Sequence, residues 1–137
     1  MKRIVLDTNV VVSGLLWSGA PHSLMAKARA GMVQLVTSPR LIAELARILA
    51  ASKFDSKFIG IGQSHEEMLF GYAMLADTID CASLPAPIAP DPDDDWVIAT
   101  AIAAQADLIV TGDKPFLGVG AVGSIRIITV GDALALF

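Results

Sequence analysis

Asp7, Glu44, the run Asp93, Asp94 and Asp95, and Asp113 are the carboxylates from which a reactive site could be built. Asp7 follows the apolar run "RIVL", the triplet abuts "WVIATAIAA", and Asp113 closes "DLIVTG". Each has an ordinary explanation. Asp7 could end a strand and make a turn with Asn9. Aspartates at a helix N-terminus cap free N–H groups and complement the dipole, worth about 0.3–1 kcal/mol each. That accounts for one or two of the triplet, but a third charge repels its neighbours. Glu44 could pair with Arg40 at i−4 or Arg47 at i+3, for about 0.2–0.5 kcal/mol. If the carboxylates converge, they must repel or take up protons. Divalent cations remove that conflict, and an all-oxygen set suits Mg²⁺ or Mn²⁺ rather than zinc. Such a site activates water and stabilises an in-line phosphoryl displacement, the chemistry of a metal-dependent phosphodiesterase.

Convergence depends on the elements between these residues. "RIVL" (3–6) reads as a short buried strand ending at "DTN". "APHSLMAKARAG" reads as a helix with Pro21 in its first turn and Gly31 at its end. "MVQLV" is strand-like, and Thr37, Ser38 and Pro39 open the helix "SPRLIAELARILA". Residues 52–63 are mixed. Ser64 and Glu67 have capping-box spacing for the helix "SHEEMLFGYAMLAD". After the connector "SLPAPIAPDP" come a helix over 95–105, the strand "DLIVT", the strand "IRIITV" and a short helix, "GDALALF". This alternation predicts an α/β fold with a mostly parallel sheet in a single domain over 1–137.

A helix from Trp96 to Gln105 rises roughly 15 Å at about 1.5 Å per residue. The following strand returns roughly 16 Å at about 3.3 Å per residue. Asp95 should therefore lie near Asp113, at the same sheet end as Asp7, where open α/β sheets bind ligands. Glu44 falls at the edge of the apolar arc of its helix, formed by Leu41, Leu45, Ile48 and Leu49.

Composition sets the limits. With 54% hydrophobic and 18% charged residues, the 137-residue chain is neither disordered nor a coiled coil, and it can bury a core. The apolar surplus predicts a homodimer or protein partner. Cys81 is alone, and His22 and His65 belong to no metal-spaced pair. The longest uncharged stretch, Thr8 to Ala26, carries Gly14, Gly19 and Pro21 and is a poor membrane span. A soluble, cytoplasmic protein is expected. The net charge of −4 argues against a general nucleic-acid coat protein. Two bound dications would offset that charge. Trp17 and Trp96 read first as core or interface residues. Arg40, Arg47, Lys53 and Lys57 form either a solvated helix face or a nucleic-acid path.

"VLDTNVVVSGLL", "TSPRLIAELARIL" and "DDDWVIATAIAAQADLIVTGDKPFL" together resemble the PIN-domain proteins, most of all the toxins of VapC type. The likeness spans nearly the whole chain and rests on four acidic positions in order. The resemblance implies a three-layer fold with a central parallel sheet flanked by helices. It also implies a Mg²⁺- or Mn²⁺-dependent ribonuclease, often a homodimer inhibited by an antitoxin. Carried over, Asp7, Glu44, Asp95 and Asp113 are the catalytic, metal-binding acids, with Asn9 and Thr111 as supporting polar residues. Asp93 and Asp94 blur the register at the third position. There Asp95 is taken as ligand, and Asp94 as a supporting residue. The chain departs at Pro115, where many relatives carry a further acid. Two alternatives remain. A receiver-like phosphoacceptor module also sets acids at strand ends, but "MVQLVTSPRL" lacks the middle acid it would need. A PIN domain that binds RNA without cleaving it would not need the complete acidic set.

Overall fold

The four longest apolar β runs become the centre of one sheet. They are β1 (Arg3–Leu6), β2 (Gln34–Thr37), β4 (Leu108–Val110) and β6 (Ile125–Ile128), with β3 (Asp77–Thr78) and β5 (Ala121–Val122) at the edges. The computed structural model describes all residues, 1–137. The strand order is β3-β2-β1-β4-β6-β5, parallel throughout except for the β5–β6 pair. Val5 sits opposite Val36 on one side and Ile109 on the other, and Val110 opposite Ile128.

Side chains alternate across the strands and sort into two cores. Ile4, Leu6, Leu35, Leu108, Val110 and Ile128 join one cluster, while Val5, Val36, Ile109, Ile125 and Ile127 join the other. The first is covered by α1 (Thr8–Leu16), α2 (Ala20–Arg29), α3 (Pro39–Leu49), α5 (His65–Leu75) and α8 (Val130–Leu136). The second is covered by α6 (Pro92–Ala104) and α7 (Lys114–Leu117). A short 3-10 turn (Ser52–Phe54) and α4 (Asp55–Ile61) complete the chain. The expected three-layer α/β fold with a mostly parallel sheet is found.

Local differences from the sequence reading have physical causes. The run "TNVVVSGLL" forms α1 despite its β-branched valines, because Val10, Val11, Val12 and Leu16 are all buried there. Packing overrides their modest helix propensity. Gly14 lets α1 approach α2 closely, since a Cβ there would collide with the Met25 sulfur. Ser64 and Glu67 do form the capping box of α5. Ser38 precedes α3 but does not cap it with its side chain. Its hydroxyl instead bonds Thr100 Oγ1 at 2.8 Å, inside the protein. The most consequential shift is in α6, which begins at Pro92 rather than near residue 95. Asp91 is its cap, accepting the Asp93 N–H at 2.9 Å, and Pro92 takes the first helical position. The whole aspartate triplet therefore lies within the first turn. No helix is long and apolar enough to cross a membrane.

Candidate active site

The sheet order reverses direction at β1, whose neighbours β2 and β4 lead away to opposite edges. A crevice opens at such a point beyond the carboxyl ends of the strands. Asp7 leaves β1 into it and is only 7% exposed. Thr111, Gly112 and Asp113 leave β4 beside it. The buried Thr111 hydroxyl donates to Asp7 Oδ2 at 2.7 Å and accepts the Asp113 N–H at 3.1 Å. One side chain thus ties both strand ends together. Asp113, largely exposed, caps α7 by accepting the Phe116 N–H at 3.1 Å. Asp7, exposed Asn9, Ser13, Pro21, Gly112, Asp113 and Val130 line an open cleft of about 370 Å³.

The triplet divides by helical phase. The buried stripe of α6 contains Val97, Ile98, Ala101 and Ala104. Asp94 lies three and four residues before Val97 and Ile98, so it extends this stripe past the core into the crevice. Its carboxyl is pushed up to about 7, first by burial and then by repulsion from Asp7, Asp91, Asp113 and Glu44. Asp95, expected as the third acidic ligand, is directed elsewhere. Its Oδ1 accepts the N–H groups of Ile88 (3.1 Å) and Ala89 (2.8 Å), anchoring the connector. A further 100° of helical turn separates these two roles. Asp93 lies beside Glu44 and contributes to its repulsion. The apolar phase of "WVIATAIAA", carried back into the triplet, was the sequence signal for Asp94. A helix start placed near residue 95 left Asp94 only a supporting role.

Glu44 points inward from α3. Burial raises its carboxyl above the ordinary range, as do Asp93 and Asp7, while the Thr8 hydroxyl and Arg47 oppose them. Burial likewise raises Asp7, aided by Asp113 and Asp91 and opposed by the Thr111 hydrogen bond and the Thr8 N–H. The structure therefore gathers Asp7, Glu44, Asp94 and Asp113, with Asn9 and Thr111 adjoining. No basic side chain comes within 4 Å of any of these carboxylates, the chain's one close ionic contact being His65 with Glu66.

Whether this set suits a cation follows from its chemistry. No three of its side chains close on one point at ligand distance. Mg²⁺ does not require that, because it keeps several waters and binds through one or two carboxylates plus substrate phosphate. The donors are all oxygens, and their mutual repulsion is what a dication would relieve. The residues fit the ion.

These shifts set a pH dependence for the metal-free protein. Asp7, Glu44 and Asp94 all bind protons more tightly folded than unfolded. Their contribution to stability is therefore fully present below the unfolded carboxylate range and is lost as pH rises from about 4 to about 7. Asp94 is partly open to solvent, so the expected loss is about 1–2 kcal/mol rather than the ~4 kcal/mol of an unscreened shift. Urea denaturation in EDTA at about pH 5 and about pH 7.5 measures it. Greater stability at the higher pH would contradict the clustering.

Residues 3–115 match a family model described as PIN domain. No curated protein matches the chain. Among solved structures, VapBC2 from Rickettsia felis, bound to a DNA fragment from its promoter, aligns with a TM-score of 0.61. It is 16% identical over 93% of this chain and 98% of that one. FitAcB from Neisseria gonorrhoeae aligns with a TM-score of 0.55 at 18% identity, over 93% and 98% of the two chains. FitAB bound to an IR36 DNA fragment gives 0.56 at 19% identity, over 93% and 94%. At these identities the likeness is one of fold.

Proposed function

This chain belongs to the PIN-domain family, and from that premise we propose that it is a metal-dependent ribonuclease, the VapC-type toxin of a toxin–antitoxin pair. The observation that carries this reading is the assembly of Asp7, Glu44, Asp94 and Asp113 with no cationic side chain in ion-pair contact with any of them. These four would hold Mg²⁺ or Mn²⁺. When bound, the ion supplies positive charge at the reacting phosphate and activates water for its displacement. The protein's own part is positional. Thr111 fixes the Asp7 carboxylate and the Asp113 backbone in one bond network. Asn9 offers an amide at the rim of the cleft, where a phosphate or ribose would pass. The entire chain acts as one nuclease domain, in the cytoplasm.

The test pairs catalysis with binding. Mg²⁺ or Mn²⁺ is expected to permit cleavage of total RNA and to raise the melting temperature, since the ion binds the site that folding assembles. Asp7→Asn is expected to abolish cleavage and shrink the thermal response, while raising metal-free stability by removing a repelling charge. Neither cleavage nor a thermal response at millimolar metal would sink the proposal.

Partnership follows from the same reading. The structural neighbours are the complexes VapBC2 and FitAB, which supports a cognate antitoxin for this chain. Ile59 of α4 and Phe70 and Met74 of α5 are exposed apolar side chains. We propose that apolar side chains of this kind are covered in a homodimer or by the antitoxin. Light scattering of the isolated chain should give the dimer mass. A monomer at high concentration would leave the antitoxin alone to cover it.

A further inference from the structure

On α3, Arg40, Glu44 and Arg47 fall at i, i+4 and i+7, and so share one face. With Ala43, Asp93 and Trp96 they line an open groove of about 320 Å³. Glu44 belongs both to this groove and to the acidic site, so the one opens onto the other. The ion pairs that the sequence offered between Glu44 and either arginine do not form. Arg40 instead crosses toward α6, its guanidinium carbon 4.6 Å from the centre of the Trp96 ring. Arg47 is exposed and without an ionic partner. On the other side of the acidic site, the cleft of Asp7, Asn9, Ser13, Pro21 and Asp113 contains no lysine or arginine. Of the two openings, only the α3 groove is lined by cationic side chains.

We infer that this groove carries the single-stranded RNA on one side of the scissile phosphate, an inference that rests on the ribonuclease reading above. Arg40 and Arg47 bind successive phosphates, and one base lies against the Arg40–Trp96 pair. Two guanidinium groups without ionic partners beside an acidic site suit a polyanion, because they hold it where the carboxylates alone would repel it. An aromatic ring under a guanidinium offers a flat surface to an unstacked base, which a duplex would not present. The strand beyond the scissile phosphate runs through the cleft lined by no lysine or arginine, where it is held less firmly and can leave first.

The experiment is a fluorescence anisotropy titration of a short, labelled single-stranded RNA in Mg²⁺ over a range of KCl concentrations. The full chain carries Asp94→Asn throughout to block cleavage. Each phosphate contact contributes about 0.7 to the slope of log affinity against log salt for a single strand. Arg40→Ala with Arg47→Ala is expected to reduce the slope by about 1.4. The double lysine variant should keep the slope. Trp96→Leu, which preserves apolar packing, should weaken binding roughly 5- to 100-fold and leave the slope unchanged. An unaltered slope and affinity in the double alanine variant would overturn the inference. So would displacement of the RNA from this groove by polyglutamate as readily as by unlabelled RNA, which would mark a docking place for an acidic protein segment. Cleavage by the unsubstituted chain is measured in parallel. Cleavage with an unaltered slope rejects the groove and keeps the nuclease. A reduced slope without cleavage keeps the groove and rejects the nuclease.

Discussion

Asp94→Asn is expected to lower metal-dependent RNA cleavage by at least about 100-fold, beyond the 10- to 100-fold typical of residues acting through a metal's outer partners. The fold should survive intact. The carboxylate of Asp94 is repelled by four others, so losing its charge relieves the metal-free protein and should raise its melting temperature at neutral pH. Asp95 is expected to behave in the opposite way. Asp95→Ala frees the exposed Ile88 N–H to water but leaves the buried Ala89 N–H without its acceptor, at a cost of about 1–3 kcal/mol, with activity per folded molecule largely retained. Cleavage rates and urea unfolding of both variants separate ligand from anchor. A dead, stable Asp95 variant beside an active Asp94 variant would reverse the assignment.

Phe116→Ala is expected to have the largest effect on stability. Phe116 is fully buried in the core with Val5, Val97, Ile98 and Ile109. Its removal should cost about 3–5 kcal/mol, a large share of the roughly 5–15 kcal/mol that holds an ordinary domain together. Helix α7 has only four residues, Lys114–Leu117, too few to persist alone. It is held by this ring inside and by the Asp113 cap at its start. Activity per folded molecule should fall as well, because Asp113 loses the segment that aims it. Phe116→Leu, which keeps most of the apolar volume, should cost much less. Urea unfolding reads both, and a loss below about 1 kcal/mol for the alanine variant would show that the ring does not anchor α7.

The order of elements was legible in the sequence because it is written in local periods. "RIVL", "DLIVT" and "IRIITV" are short apolar runs bounded by polar breaks, and "SPRLIAELARILA" has a helical arc. Right-handed strand–helix crossovers then leave few arrangements besides a parallel sheet with its acids at one end. Asp7 and Asp113 follow almost directly, since Asp7 comes immediately after one buried strand and Asp113 three residues after another. The helix over "TNVVVSGLL" was not legible. Three adjacent valines favour a strand locally, and only the contacts of Val10, Val11 and Val12 with the surrounding core make them helical.

The set of carboxylates and their order along an α/β chain can be read from the residues alone. That information lies in residue type, spacing and hydrophobic period, all of which survive without coordinates. Which acid of the triplet enters the crevice, and where the arginines beside Glu44 go, emerges only on folding. Adjacent helical positions differ by about 100°, so the choice among Asp93, Asp94 and Asp95 depends on where α6 begins and how it rotates against the sheet. Asp91 and Pro92 set that beginning, and the burial of Val97, Ile98 and Ala101 sets the rotation. Both are outcomes of packing across the whole domain, which no local pattern records.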